Sequence, residues 1–414
     1  MRIGVKWSVL FISFMILLFG CSRTSTSYPT DDAYHFGTDS QYTLCNQGSN
    51  RQIAETEEGY YFALTLNRSD PELGGDYLFF TDKETMETVP LCGKPNCMHY
   101  AETDPDKISL CNANFRGSDM FPAVYYNEGR LLVLRHDGIH ETYIDEIASD
   151  GSSRKELLKL EGDGYFPDRF LFHRGYLYVG NSTYTEEMGS TLVLKRYSLE
   201  NMQREPVDVF SMKGGSGYQI TDLSAYGSHV YFSVIEAGTD RDFYHLDTAT
   251  GKVSEIFNLE QGEEASYSLI PFKGGLLYEK TCPQVDPTEV EMDDLPSMRY
   301  TGDLTGGNVQ KWEDAMYCKY AADDRYLYEW GLARLSDHYL RVKDLDGNLL
   351  VSCDLREALS GVEYYGLQVT QGEHVFITTM DNDKMYYFSK SDIEKGELQI
   401  KLSVDCSAYQ RSYK

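Results

Sequence analysis

"RGYLYVG", residues 174–180, is the stretch that decides the fold. A turn glycine is followed by aromatic and aliphatic residues in alternation, as a short strand buried on both faces requires. The same phrase recurs as "EGYYFAL" at Gly59, "EGRLLVL" at Gly129, "YGSHVYFSV" at Gly227, "KGGLLYE" at Gly274, "DDRYLYE" at Asp324 and "QGEHVFI" at Gly372. The first interval is 70 residues and the others lie between 46 and 52. Each anchor leads into a second strand, a polar turn and a third strand, as in "DFYHLDTATGK" and "VSEIFNL". A further short strand precedes it, as in "PAVYYN" before Gly129. Four strands repeating at this period predict an all-β, seven-bladed β-propeller. Six blades is the alternative, with 281–312 as an insertion. "DLREALSG" (354–361) reads as one helical turn. "QYTLCN" (41–46) is expected to add a strand to the last blade beside "IKLSVDC", within bridging reach for Cys45 and Cys406.

The N-terminus sets the address. Arg2 and Lys6 precede an apolar run from Val9 to Phe19, too short for a comfortable membrane span and laid out as a secretory signal. Leu18, Gly20 and Cys21 resemble the lipobox of bacterial lipoproteins, in which the cysteine carries palmitate-class acyl chains and becomes the first residue. Two such chains suffice for stable anchoring. An uncleaved anchor helix and plain secretion are the alternatives. The expected organisation is a signal peptide (1–20), a flexible Ser/Thr/Asp-rich tether (21–40) and a single propeller domain (41–414). The net charge is −27, and signal cleavage makes it more negative by removing two basic residues. Such a surface repels nucleic acid and anionic lipid headgroups.

The first interval is longer than the rest because of a cysteine-rich insertion, residues 92–118, between blades one and two. It reads "LCGKPNCMHYAETDPDKISLCNA" from Leu91. Pro95 and Asn96 form the centre of a tight turn that folds Cys92 toward Cys97. Cys97 and His99, two apart in extended backbone, point the same way. Cys111 returns from the loop. Three thiolates and an imidazole make a structural Cys3His zinc set, which leaves no open position for catalysis. The competing reading is a disulfide within Cys92, Cys97 and Cys111, since nine cysteines less the lipidated one leave an even number in an oxidising compartment. Reduced, unlinked thiols are the third. Propeller topology puts the insertion on the same face as "NRSDPELGG" (67–75), "RHDGIHE" (135–141) and "WGLARLSDH" (330–338), beside the axial funnel.

The lipobox, the propeller repeat and the early "LCGKPNCMH…CNA" together resemble a group of exported TolB-like or quinoprotein-like propeller lipoproteins of Gram-positive anaerobes. The resemblance implies a cell-surface propeller and no particular reaction. An anaerobic habitat favours metal over disulfide.

Other signals are weaker. "GGSGY" (214–218) lacks the last glycine of a serine-hydrolase elbow. "DLDGN" (344–348) lacks the glutamate of a calcium loop and reads as a type I′ hairpin turn. An aromatic recurs seven to ten residues before the anchor in units two to seven: Phe121, Tyr165, Tyr218, Tyr267, Tyr317 and Tyr364. Such a ring could stack on sugars or peptide side chains, or pack between blades. The expected function is a monomeric, lipid-anchored, extracytoplasmic propeller. It binds a carbohydrate, peptide or envelope protein at the funnel face without catalysis. An extracellular hydrolase or lyase and an envelope scaffold are the alternatives.

Overall fold

The computed structural model describes residues 28–41, 44–45, 53–66, 73–115, 123–137, 141–160, 169–185, 189–202, 204–213, 218–235, 241–256, 266–281, 296–316, 318–331 and 338–409. Seven antiparallel sheets are each built on four strands consecutive in sequence. Blade one covers 54–90, two 123–160, three 169–213, four 219–256, five 266–316, six 319–354 and seven 364–405. Strands Pro296–Gly302 and Gln310–Met316 complete blade five, which settles the count at seven.

The anchor glycines sit in the turns between first and second strands. Glu128 and Gly129 (φ 50° and 77°), Arg174 and Gly175 (43° and 73°), and Lys273 and Gly274 (52° and 70°) are left-handed in both central positions. This is the two-residue hairpin geometry that matches strand twist. "DLDGN" differs from its expected type I′ turn. It is a longer loop with Gly347 at φ 90°, in which the Asp344 carboxylate accepts the amides of Asp346 and Asn348. The expected helical turn is Leu355–Ala358, capped by the Asp354 carboxylate on the amides of Arg356 and Glu357.

Adjacent blades pack face to face. The largest apolar cluster joins blades two, three and four through Leu132, Phe172, Leu177 and Phe232. Trp330, Tyr364 and Ile377 join blades six and seven. Blade seven closes on blade one by side chains: Phe376 lies 4.9 Å from the Tyr60 ring. The Thr65 amide donates to the Asn382 carbonyl, and Asn382 Nδ2 to Thr65 Oγ1. Glu55 accepts the Gly372 amide at 2.9 Å. Among the described residues, the strand that follows the tether does not join the last blade. Leu44–Cys45 pairs instead with Ala321 and Ala322 on the first strand of blade six. Blade seven ends at its own fourth strand, Lys401–Asp405. Cys406 is buried between blades seven and one, and the expected strand neighbourhood of Cys45 and Cys406 is not formed.

Residues 28–40, expected to be flexible, are held as a strap across the turns between first and second strands. Arg174 carries it. Its guanidinium donates to the carbonyls of Pro29, Asp31 and Ala33 at 2.7–2.8 Å. It also forks onto both oxygens of Asp39 at 2.7 and 3.0 Å. Arg174 and Asp39 are both buried. A left-handed arginine costs on the order of 1 kcal/mol, which this set of charge-assisted bonds offsets. Beside it, His173 Nδ1 accepts the Ser40 amide and Nε2 donates to the Gly227 carbonyl. On blade four, Asp32 accepts from Ser228 Oγ and lies 3.0 Å from His229 Nε2. Gln41 exchanges two hydrogen bonds with the Glu55 backbone on blade one. Burial, reinforced by Glu55, Asp39 and Asp324, raises the pKa of the Tyr34 phenol. The strap thus lies against blades one, two, three and four on this face. A stretch rich in Ser, Thr and Asp carries no apolar signal; its order comes largely from polar partners far away in the chain, Arg174 above all.

Candidate metal centre

The cysteine loop interrupts the outermost strand of blade one. Thr88–Pro90 pairs with Phe79–Thr81, and Asn114–Phe115 resumes the pairing at Asp76 and Tyr77. Between them, the Leu91 amide donates to the Leu78 carbonyl and the Leu78 amide to the Ala113 carbonyl, at 2.8 and 2.9 Å. Both ends of the excursion thus meet opposite Leu78, and the ladder itself brings Cys92 and Cys111 together. The loop therefore lies on the outer rim of blade one, not on the funnel face expected from topology. Its start packs on the third-to-fourth-strand turn of blade two, where the Gly93 amide donates to the Gly151 carbonyl. Its far side packs on the end of blade seven through Tyr100 and Tyr409, 4.6 Å between ring centroids.

Within the loop, Lys94–Cys97 is the expected tight turn, with Asn96 at φ 59°. Cys97 and His99 do not share an extended strand. Met98 is helical and His99 is left-handed at φ 52°, opening the 3-10 turn His99–Ala101. The helix Pro105–Ser109, capped by Asp104 and anchored by buried Ile108, returns the chain to Cys111. The four donor atoms of Cys92, Cys97, His99 and Cys111 lie within 4.8 Å of one another, with Cys111 Sγ 3.7 Å from His99 Nδ1. A tetrahedral ion with metal–sulfur bonds of about 2.3 Å would set its sulfurs about 3.8 Å apart, so modest contraction would complete a shell. Cys92, Cys97 and Cys111 are unbridged.

The electrostatics suit a cation. Burial pushes the Cys92 thiol up, but the amides of Lys94 and Asn112 and the neighbouring thiols outweigh it and hold its pKa below the usual range. Burial, together with Cys92 and Cys97, pushes the Cys111 thiol up even though the Ala113 amide points at it. The Cys92 thiolate is favoured and that of Cys111 beside it penalised, the situation that a bound dication reverses. Burial lowers the His99 pKa, which keeps the imidazole neutral and able to ligate. The four residues can therefore hold a metal ion, with every position of a tetrahedral shell filled by protein.

The aromatic series behaves otherwise. Tyr364 is buried between blades six and seven, its hydroxyl donating to the Gly331 carbonyl at 2.9 Å. Tyr218 packs half-buried against the core of blades two to four. Tyr364 thus serves inter-blade packing, the alternative to a stacking ring. Phe121, Tyr165 and Tyr317 lie outside the described residues, as does the side chain of Tyr267. Sequence reading also missed the residues that bind distant segments. Besides Arg174 these include Arg299, fully buried between blades five and six. It pairs with Glu279, Glu313 and Glu329 and faces the Tyr320 ring at 4.7 Å. No local spacing marks such residues; an arginine inside a strand phrase is the only hint.

No protein-family model matches the chain, and no curated protein matches it in sequence. Solved structures do. The chain is similar to a prolyl endopeptidase at 12% identity and TM-score 0.56, covering 90% of this chain and 51% of that one. It is similar to an acylaminoacyl peptidase, solved with a chloromethyl ketone, at 10% identity and TM-score 0.53, covering 88% and 53%. A structure from Bacteroides uniformis assigned as a 6-phosphogluconolactonase gives 12% and 0.50, covering 85% and 98%. The chain spans about half the length of the two peptidases. At these identities the likeness shows the propeller fold alone.

Proposed function

We propose that the protein is a lipid-anchored, extracytoplasmic propeller that binds a carbohydrate, a peptide or a partner protein at its funnel face, with a structural zinc ion in the rim of blade one. The observation that carries this reading is the strap. Residues 28–41 lie across the first-to-second-strand turns of blades three and four through Arg174, His173 and Asp32, which leaves the opposite face for a ligand. A lipid anchor at Cys21 is compatible with this placement of the strap. Cys21 precedes Tyr28 by seven residues, about 25 Å of extended chain, so a lipid there keeps the covered face toward the membrane and the funnel outward. Binding without catalysis fits a metal set of four protein donors, which offers a substrate no position.

Two measurements test it. Acyl labelling should mark the wild-type chain and not Cys21→Ser, which should leave the membrane fraction; an unlabelled wild type overturns the anchor. The mature protein, purified without reductant, should carry one equivalent of zinc and bind on a glycan or peptide array. No metal together with lost thiol titre replaces the ion by a disulfide, and an empty array overturns the binder.

A further inference from the structure

A cleft of 410 Å³ separates the cysteine loop from blade two. Lys94, Asn112 and Asn114 line one wall, and Arg135, Asp145, Arg154 and Glu156 the other. Asp145, 1% exposed, is its centre. Its Oδ2 accepts from Arg135 Nε and Arg154 Nε, both at 2.8 Å. Its Oδ1 is buried without a donor among the described residues. An unpaired carboxylate oxygen at this depth costs about 1–3 kcal/mol or more, and polar groups left so are commonly completed by a ligand or an ordered water.

The two guanidinium groups are fixed flat. Arg154 lies over the Phe115 ring at 3.8 Å and Arg135 over the Tyr143 ring at 4.0 Å. Arg154 Nη1 donates to the Asn114 carbonyl and Arg135 Nη2 to Glu156. Arg154 Nη2 and Arg135 Nη1 keep their protons for other acceptors among the described residues. Lys94 reaches across the loop to the Leu110 carbonyl. Three cations and two carboxylates line the cleft, on a chain of net charge −27. Fixed forks of this kind recognise carboxylates. A bare anion would use them but leave Asp145 Oδ1 unpaired. A carboxylate with an N–H one residue away satisfies both.

We propose that this cleft binds the carboxylate end of a peptide or amino acid, the carboxylate on Arg135 and Arg154 and the adjacent N–H on Asp145 Oδ1. The assignment stands whatever the funnel face binds. It ties the metal centre to recognition, because the metal loop supplies one wall.

The test is calorimetric titration of the metal-loaded mature chain with acetyl-trialanine, its carboxamide, free alanine, acetate and inorganic phosphate. The free-acid peptide should bind about tenfold or more tighter than the carboxamide, and Arg135→Lys should weaken it by a similar factor while metal content and circular dichroism hold. Lys94→Glu, on the exposed wall, should weaken it less and serves if the arginine variant fails to fold. Tighter binding of free alanine would make an amino acid the ligand. Equal binding of acid and carboxamide, acetate or phosphate matching the peptide, or no binding by about 10 mM, each overturns the proposal.

Discussion

The cysteine loop and the N-terminal strap are both segments outside the repeat, laid on the finished ring with little apolar surface of their own. They are held in opposite ways. The loop gathers its four donors from twenty residues, and the ladder at Leu78 closes its ends. The strap is held by residues far away in the chain, chiefly the guanidinium of Arg174. One segment carries its own clasp; the other borrows one. The first kind of clasp is written in local spacing, while the second exists only after the blades have assembled.

The comparison breaks first at the loop. Cys111→Ser, or chelation of the wild type, should abolish stoichiometric metal and raise protease cleavage within 92–113 by about tenfold or more, since structural zinc supplies folding energy directly. Cleavage within 28–41 should stay unchanged; if both segments open together, they are one unit and the contrast fails. The next largest effect belongs to the strap. Arg174→Ala leaves Asp39 buried and three carbonyls unpaired, and should cost about 3–5 kcal/mol, read as a fall in the denaturant midpoint with metal content retained.

Acid sharpens the contrast. Burial depresses the His173 pKa to about 4, although Asp39 and the Gly227 carbonyl pull it up, against about 6.5 when unfolded. Below pH 6.5 the unfolded chain takes up a proton that the folded one refuses, so stability falls as pH drops toward 4, by about 3 kcal/mol from this group. His173→Gln should flatten that part of the profile of thermal midpoint against pH. The smallest effect is at the strap's first described residue. Tyr28 lies tilted against the Tyr176 ring, 6.3 Å between centroids, and donates to Glu128, and Tyr28→Ala should cost about 1 kcal/mol, seen as faster amide exchange at 28–33 with the rest of the ring unchanged.

Much of this was legible beforehand. The anchor phrases placed the blades because a strand buried on both faces must repeat its apolar pattern wherever the environment repeats. The Lys94–Cys97 turn was legible because proline and asparagine prefer its dihedral angles. The placement of the loop was not, because it depends on Leu78 offering one amide and one carbonyl to two segments 22 residues apart. Nor was the role of Tyr364, whose spacing is the same whether it faces a funnel or a neighbouring blade.

Taken alone, the amino-acid order determined the four-stranded repeat and placed Cys92, Cys97, His99 and Cys111 within one short stretch, since each rests on periodicity or on neighbours a few residues apart. Only the tertiary structure decided that Arg174, inside the phrase that announces the fold, clasps a strap, that Leu44–Cys45 joins blade six, and that Asp145 lies at the bottom of a cleft. Those outcomes depend on which distant polar groups burial leaves facing one another, and chain spacing carries no record of that.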